Sequence, residues 1–189
     1  MVKFISYYLI YMVAIIKNIL RLLPFIISIS GLFFSLITGH QLGIYFTLAE
    51  LIFASGLNML LKYLFIFIDP YNPQWLRPSP PTDGCGFFPS CTGNRVNLGG
   101  MPSGHAQSIM FSAIFWILYI WRKGNSSYTF SLISTLIILL ISAVVIFSTV
   151  NEGCHNNLQV TIGGGFGVVS ATLIYFLLEN DQPHIFDFS

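Results

Sequence analysis

The sequence predicts an all-α, polytopic membrane helical bundle of about six transmembrane helices, and three observations carry that expectation. Only 8% of the 189 residues are charged, against roughly 25% in an average soluble domain. Apolar residues make up 54% of the chain and aromatic ones 16%, with a mean hydropathy of +0.75. Apolar stretches also recur along almost the whole length, so lipid must solvate most side chains. A single integral membrane domain, residues 1–189, accounts for the chain.

The elements follow from the roughly 20 apolar residues that a span requires. The first candidate runs from about Phe4 to Leu20 and needs Lys17 to snorkel toward an interface. The second covers about Leu22 to Thr38, with Pro24 in its first turn, where a missing N–H is least costly. Residues 1–22 lying in the interface is the alternative, which leaves one span fewer. A cleaved signal peptide is not expected, because Lys17 and Arg21 follow the first apolar run where small residues would be needed.

The third span is about Gly43 to Ile68, the fourth Ala106 to Trp121, the fifth Tyr128 to Val150 and the sixth Leu158 to Leu178. Between the third and fourth lies Asp69 to Gly104, rich in Pro, Gly, Ser and Asn, which cannot cross hydrocarbon as regular helix. Two spans separate this segment from the loop at 151–157. Both loops therefore face the same side of the membrane.

The chemistry concentrates on that face. In Gly100-Met101-Pro102-Ser103-Gly104-His105-Ala106-Gln107 a Pro-Ser-Gly turn opens directly into an apolar helix. The first N–H groups of a helix lack intrahelical partners and sit at the positive end of its dipole, which makes an anion site. Ser103 adds a hydroxyl, Gly104 lets an oxyanion approach the backbone, and His105 can donate a proton there. The alternative is that Ser103 is only an N-cap and His105 an interfacial side chain.

A second histidine, His155, lies just before the sixth span in Glu152-Gly153-Cys154-His155-Asn156-Asn157-Leu158-Gln159. In the third span Glu50, Ala54, Asn58 and Lys62 recur every four residues, a polar stripe that should face the bundle interior, with snorkelling of Lys62 as the alternative. Arg77 and Arg95 follow in the long loop. Their planar guanidinium forks suit bidentate phosphate binding.

In this order Lys62, Arg77-Pro78, Pro102-Ser103-Gly104-His105 and a distal His155 resemble the type 2 phosphatidic acid phosphatase superfamily over about residues 45–178. The resemblance implies a lipid phosphatase in which His155 is the nucleophile that forms a phosphohistidine and His105 protonates the leaving group. It implies that Lys62, Arg77, Ser103 and Gly104 hold the phosphate, and that no metal or other cofactor is needed. The substrate partner is then a lipid phosphate or diphosphate within the membrane. Met-Pro-Ser-x-His-x-Gln, and His155-Asn156-Asn157-Leu158-Gln159-Val160 beside the branch's His-Thr-x-x-Gln-Val, resemble the dolichyl-diphosphatase-like branch, which favours a polyprenyl diphosphate over phosphatidate and gives Gln159 the task of orienting His155.

Three departures from the family pattern accompany this. Thr149 stands where the family has an arginine, Gln159 where it usually has an aspartate, and Lys62 and Arg77 are farther apart than usual. Developing charge on a phosphoryl group needs cations, and Arg95 is a candidate replacement. The other readings are a membrane scaffold or lipid-headgroup-binding protein without turnover, and a lipid phosphotransferase.

Basic residues are scattered, so nucleic acid is not an expected partner. Cys85, Cys91, Cys154 and His155 share the active face, which raises a zinc site as a minor reading and a Cys85–Cys91 disulfide or free thiols as the others. Glu152 reads as a solvated loop acid, and Gly163-Gly164-Gly165 with Gly167 as a helix-packing surface. Arg122-Lys123 and Lys3 suggest that the opposite face is cytoplasmic, with Lys17 and Arg21 pulling the other way. An internal membrane such as the endoplasmic reticulum, with the active face lumenal, is the corresponding localisation. The sequon at Asn125 should then stay unmodified.

Overall fold

A computed structural model describes residues 2–78, 85, 99–122 and 127–186, with side chains from Tyr11 onward. It is an all-α bundle, with no strand among the described residues. The helices are α1 (Val2–Thr38), α2 (Leu42–Glu50), a π-helical turn (Leu51–Gly56), α3 (Leu57–Ile68), α4 (Gly104–Arg122), α5 (Tyr128–Asn151) and α6 (Asn157–Asp181), followed by a short 3₁₀ turn, Pro183–Phe186. Among the described residues, four helical stretches are long and apolar enough to cross a membrane: Tyr11–Thr38, Leu42–Ile68, Tyr128–Asn151 and Asn157–Asp181.

The first two predicted spans form one helix rather than two. Lysine and arginine are good helix formers, so Lys17 and Arg21 do not interrupt α1, and Pro24 is accommodated inside it. At 1.5 Å per residue the 37 residues of α1 reach about 55 Å, well beyond a hydrocarbon core of roughly 30 Å. The side chains from Tyr11 to Ile19 are accordingly exposed, and contact with the bundle begins near Leu20.

α4 is the central element and touches α1, α2, the π turn, α3, α5 and α6. That position explains why the predicted fourth span is absent from the four most apolar stretches. Its neighbours are mostly protein, so His105, Gln107, Ser108 and Ser112 are buried within the bundle rather than offered to lipid. α5 has the reverse character: it buries only Ser131, Ser142, Val145 and Thr149 and presents apolar side chains elsewhere.

Within a bilayer apolar burial alone does not favour protein over lipid, so close packing and polar contacts must hold the helices together. Aromatic rings do this in the half of the bundle remote from Gly104, where Phe46 meets Phe115 at 5.2 Å and Phe115 meets Tyr175 at 5.5 Å. Nearer the other end, α6 runs against α4 through its glycines. A Cβ on Gly163 would strike the Ser103 backbone, and one on Gly167 would strike the Gln107 carbonyl. Ser108 donates to the buried Glu50 carboxylate and ties α4 to α2.

The stripe read from the third span is inward-facing, with Glu50, Ala54 and Asn58 all buried. Residues four apart drift round an α-helix, because each turn takes 3.6 residues. The wider π turn between Glu50 and Leu57 offsets that drift.

Candidate active site

The site forms where the C-terminal end of α3, the N-terminus of α4, the end of α5 and the start of α6 come together. Ser103 precedes α4 and is fully buried, and its hydroxyl oxygen accepts from the Ala106 N–H at 3.4 Å, an N-cap contact. Its own N–H donates to the Gln159 carbonyl at 3.0 Å, which joins the start of α4 to α6. The Met101–Pro102 peptide bond is cis.

Lys62 points into the bundle, not toward an interface. Its ammonium donates to the Pro102 carbonyl at 2.7 Å and to the Gly99 carbonyl at 3.5 Å. Asn58, one turn earlier, donates to the same Pro102 carbonyl at 3.2 Å and to Gln107 Oε1 at 2.9 Å. The Pro-Ser-Gly turn is thus held from α3 by two side chains. Gly104 sits beside Asn58 and leads directly into His105.

The segment after α3 packs across the start of α6. The Gly100 and Met101 N–H groups donate to the Trp75 carbonyl at 2.7 and 3.1 Å, and Leu76 bridges to Gly99. Asn156 caps α6 through its side chain, which accepts from the Gln159 N–H at 2.9 Å and donates to the Gln74 carbonyl at 3.2 Å. The loops at 69–104 and 151–157 are therefore physically joined.

Gln159 is the hinge of this arrangement. Its Nε2 donates to the Gln74 carbonyl at 2.8 Å and to the Leu76 carbonyl at 2.7 Å. Carbonyls only accept, so these two bonds assign the amide nitrogen and turn Oε1 toward His155 Nδ1, 3.0 Å away. Oε1 can only accept, which places the ring proton on Nδ1 and leaves Nε2 with its lone pair. An aspartate could not serve both sides, because it has no donor for Gln74 and Leu76.

His155 is buried. Burial, together with the positive charges of Lys62, Arg77 and the nearby His105, pulls its imidazole well below the ordinary 6.5. His105 is buried too, and its Nε2–H donates to the Arg21 carbonyl of α1 at 3.2 Å. Arg77 donates through Nη1 to the Cys85 carbonyl at 3.3 Å, and burial pulls its guanidinium below its ordinary range.

Cys85 is bonded to Cys154, not to Cys91. The folded loop brings residue 85 back to the residue before His155, a return across 69 positions that spacing along the chain does not reveal. The bond also consumes two thiols that a zinc site would have used, and among the described residues no group of three or more His, Cys, Asp or Glu is disposed to hold a metal. Arg95 and Cys91 lie outside the described residues.

Thr149 is buried, and its hydroxyl turns back along its own helix to the Ile146 carbonyl at 2.8 Å. Glu152 caps the end of α5 and accepts from Ser148 at 3.2 Å. Sequence reasoning missed the contact of Arg21 with His105. Because the partner is a backbone carbonyl, which every residue has, no side-chain signal along the chain could have found it.

In comparison with known families, the model of the PAP2 superfamily matches residues 42–183. Comparison with curated proteins and with solved structures finds no match.

Proposed function

The chain belongs to the PAP2 superfamily, and from that premise we propose that it is an integral membrane lipid phosphatase working through a phosphohistidine at His155. The observation that carries this reading is the Gln159 amide, locked by Gln74 and Leu76 so that His155 keeps its proton on Nδ1 and a lone pair on Nε2. A neutral, oriented imidazole is a competent nucleophile.

In the proposed reaction His155 Nε2 forms a bond to phosphorus as the P–O bond to the departing lipid oxygen or phosphate breaks. His105, carrying protons on both ring nitrogens, gives the Nδ1 proton to that oxygen while its Nε2–H stays on the Arg21 carbonyl. Water then attacks the phosphohistidine, the P–N bond breaks, and the water proton passes to His105, which restores both side chains. Lys62, Arg77, Ser103, Gly104 and the start of α4 hold the phosphoryl oxygens, and Arg95 is a further candidate. No metal or other cofactor takes part.

A polyprenyl diphosphate is favoured over phosphatidate, on the Gln159-Val160 and Met101-Pro102-Ser103 motifs. The Cys85–Cys154 bond supports an active face on an oxidising side, such as the lumen of the endoplasmic reticulum or another internal membrane. Arg122, at the opposite end of the bundle, and the adjoining Lys123 support a cytoplasmic side there.

The test is phosphate release by detergent-purified protein from a polyprenyl diphosphate and from phosphatidate, with chelator present. Turnover by the parent, lost in both His105→Ala and His155→Ala, is expected. Turnover unchanged in His155→Ala would sink the mechanism. The inward-turned Thr149, which offers no cation, favours one second reading, a lipid-headgroup-binding scaffold of the same fold. Binding without release of phosphate from either lipid would select it, and appearance of phosphate on an alcohol acceptor would select a phosphotransferase.

A further inference from the structure

The cations of the site are unevenly placed. Lys62 and Arg77 approach from the side of α3 and the following loop, and both already donate to backbone carbonyls, those of Pro102 and Cys85. Beneath His105, between α1 and α5, a small cavity is lined by Arg21, His105, Ser148, Thr149, Glu152 and the disulfide. The Thr149 hydroxyl is turned away to Ile146, and Glu152 accepts from Ser148. Among the described residues, the only cation lining this cavity is Arg21.

Arg21 is held in place by its own backbone, whose carbonyl accepts the His105 Nε2–H at 3.2 Å. Its Nε is buried without a hydrogen-bond partner, and no ion pair joins it to Glu152 among the described residues. A guanidinium inside an apolar helix is costly unless it meets an anion or a wet cavity. The cavity has a volume of about 10 Å³, room for roughly one water.

We propose that Arg21 of α1 is a phosphate-binding residue of this site, contacting the phosphoryl oxygens on the side of His105 that Lys62 and Arg77 do not cover. The inference rests on the phosphatase reading above and adds a residue from the one long helix that precedes the matched family region. A phosphoryl group in transfer spreads charge over three equatorial oxygens, and cations on one side only would leave part of that charge unmatched. Arg21 swings toward the anion as the site fills, while its carbonyl keeps hold of His105. Thr149 lines the same cavity, so an arginine introduced there would reach the same space from α5.

The experiment compares the parent with Arg21→Gln, Arg21→Lys and the double variant Arg21→Gln with Thr149→Arg. It measures lipid phosphate release, inorganic phosphate affinity by titration calorimetry, and thermal unfolding in detergent. Arg21→Gln is expected to lower kcat/KM roughly 10²-fold, the effect of losing one preorganised donor. It should weaken inorganic phosphate binding about tenfold, with the melting temperature kept. Arg21→Lys should retain part of the activity, and Thr149→Arg should restore at least about tenfold of the loss.

If Arg21→Gln leaves kcat/KM and phosphate affinity within about threefold of an active parent, this inference fails and the phosphatase reading stands. If the parent releases no phosphate yet binds it more tightly than Arg21→Gln does, the phosphatase reading fails and the anion site at Arg21 stands. A folded parent that neither turns over nor binds phosphate overturns both. Should Arg21→Gln unfold, a purified Arg21→Lys with parental phosphate affinity and turnover would overturn the proposal.

Discussion

Replacing Gln159 with leucine should damage stability and turnover together, in amounts that follow from the local hydrogen bonds. The side chain is fully buried, accepts from His155 Nδ1 at 3.0 Å and donates to the Gln74 and Leu76 carbonyls at 2.8 and 2.7 Å. Leucine occupies much of the same volume but leaves the His155 ring N–H, the Asn156 N–H and the Leu76 carbonyl without partners, while the Gln74 carbonyl keeps Asn156 Nδ2. At roughly 1 kcal/mol or more for each orphaned group, the loss is about 3 kcal/mol of unfolding free energy. The chemical loss is separate. Without an acceptor at Nδ1 the imidazole is no longer confined to the tautomer whose Nε2 can attack, and a wrong tautomer in an analogous triad costs about 10⁴ in rate. A fall in kcat of roughly 10²- to 10⁴-fold is expected. Three measurements check this: initial rates of phosphate release, thermal unfolding in detergent, and ¹⁵N spectra of histidine-labelled protein, in which the single Nδ1–H tautomer of His155 should become a mixture. Parental turnover with a single tautomer retained would refute the reasoning. Gln159→Glu sharpens the test, since a carboxylate faces two carbonyls with no proton to give. It should be less stable than the parent, whereas a simple demand for negative charge beside His155 predicts a gain.

Other consequences are open to equally direct measurement. His155 is held below the ordinary 6.5, so its neutral form is favoured by folding. That contribution is complete above pH 6.5 and is lost as pH falls from there through the lower native value. The His155 ring should stay neutral below pH 6.5 in ¹⁵N titrations, and a midpoint at or above that value would contradict the burial argument. The Cys85–Cys154 bond closes a separation of 69 residues, worth about 4 kcal/mol in the chain-entropy account. Cys154→Ser should unfold at clearly lower temperature than the parent and lose turnover, and equal midpoints would remove the bond from the stability argument. Gly167→Val should destabilise the α4–α6 contact by roughly 1–3 kcal/mol through overpacking. Gly165→Ala, which points into open space, should be close to neutral, and matching effects of the two would argue against that contact.

Much of the architecture was legible along the chain because helix signals are local. The apolar runs, the Pro-Ser-Gly start of α4 and the every-fourth-residue stripe from Glu50 to Lys62, which spans α2, the π turn and α3, each depend on neighbours within a few turns. Parity then placed the two histidine loops together, and their hydrogen bonds through Gln74, Leu76 and Gln159 join them in the structure. The failure at Lys17 and Arg21 had a local cause as well. Charge in an apolar run was read as a boundary, while the backbone of a lysine or arginine continues a helix readily.

By itself, then, the sequence determined a helical membrane bundle, the polar turn that opens α4, and which residue types stand near that turn. Those features follow from composition and short-range periodicity, which hold whatever the packing. Tertiary structure decided the partners. It alone paired Cys85 with Cys154 in place of Cys91, brought the carbonyl of Arg21 to His105, and turned the Gln159 amide so that one side chain serves two loops. The physical reason is that these contacts join segments far apart in sequence, and their geometry exists only once the helices have packed around α4.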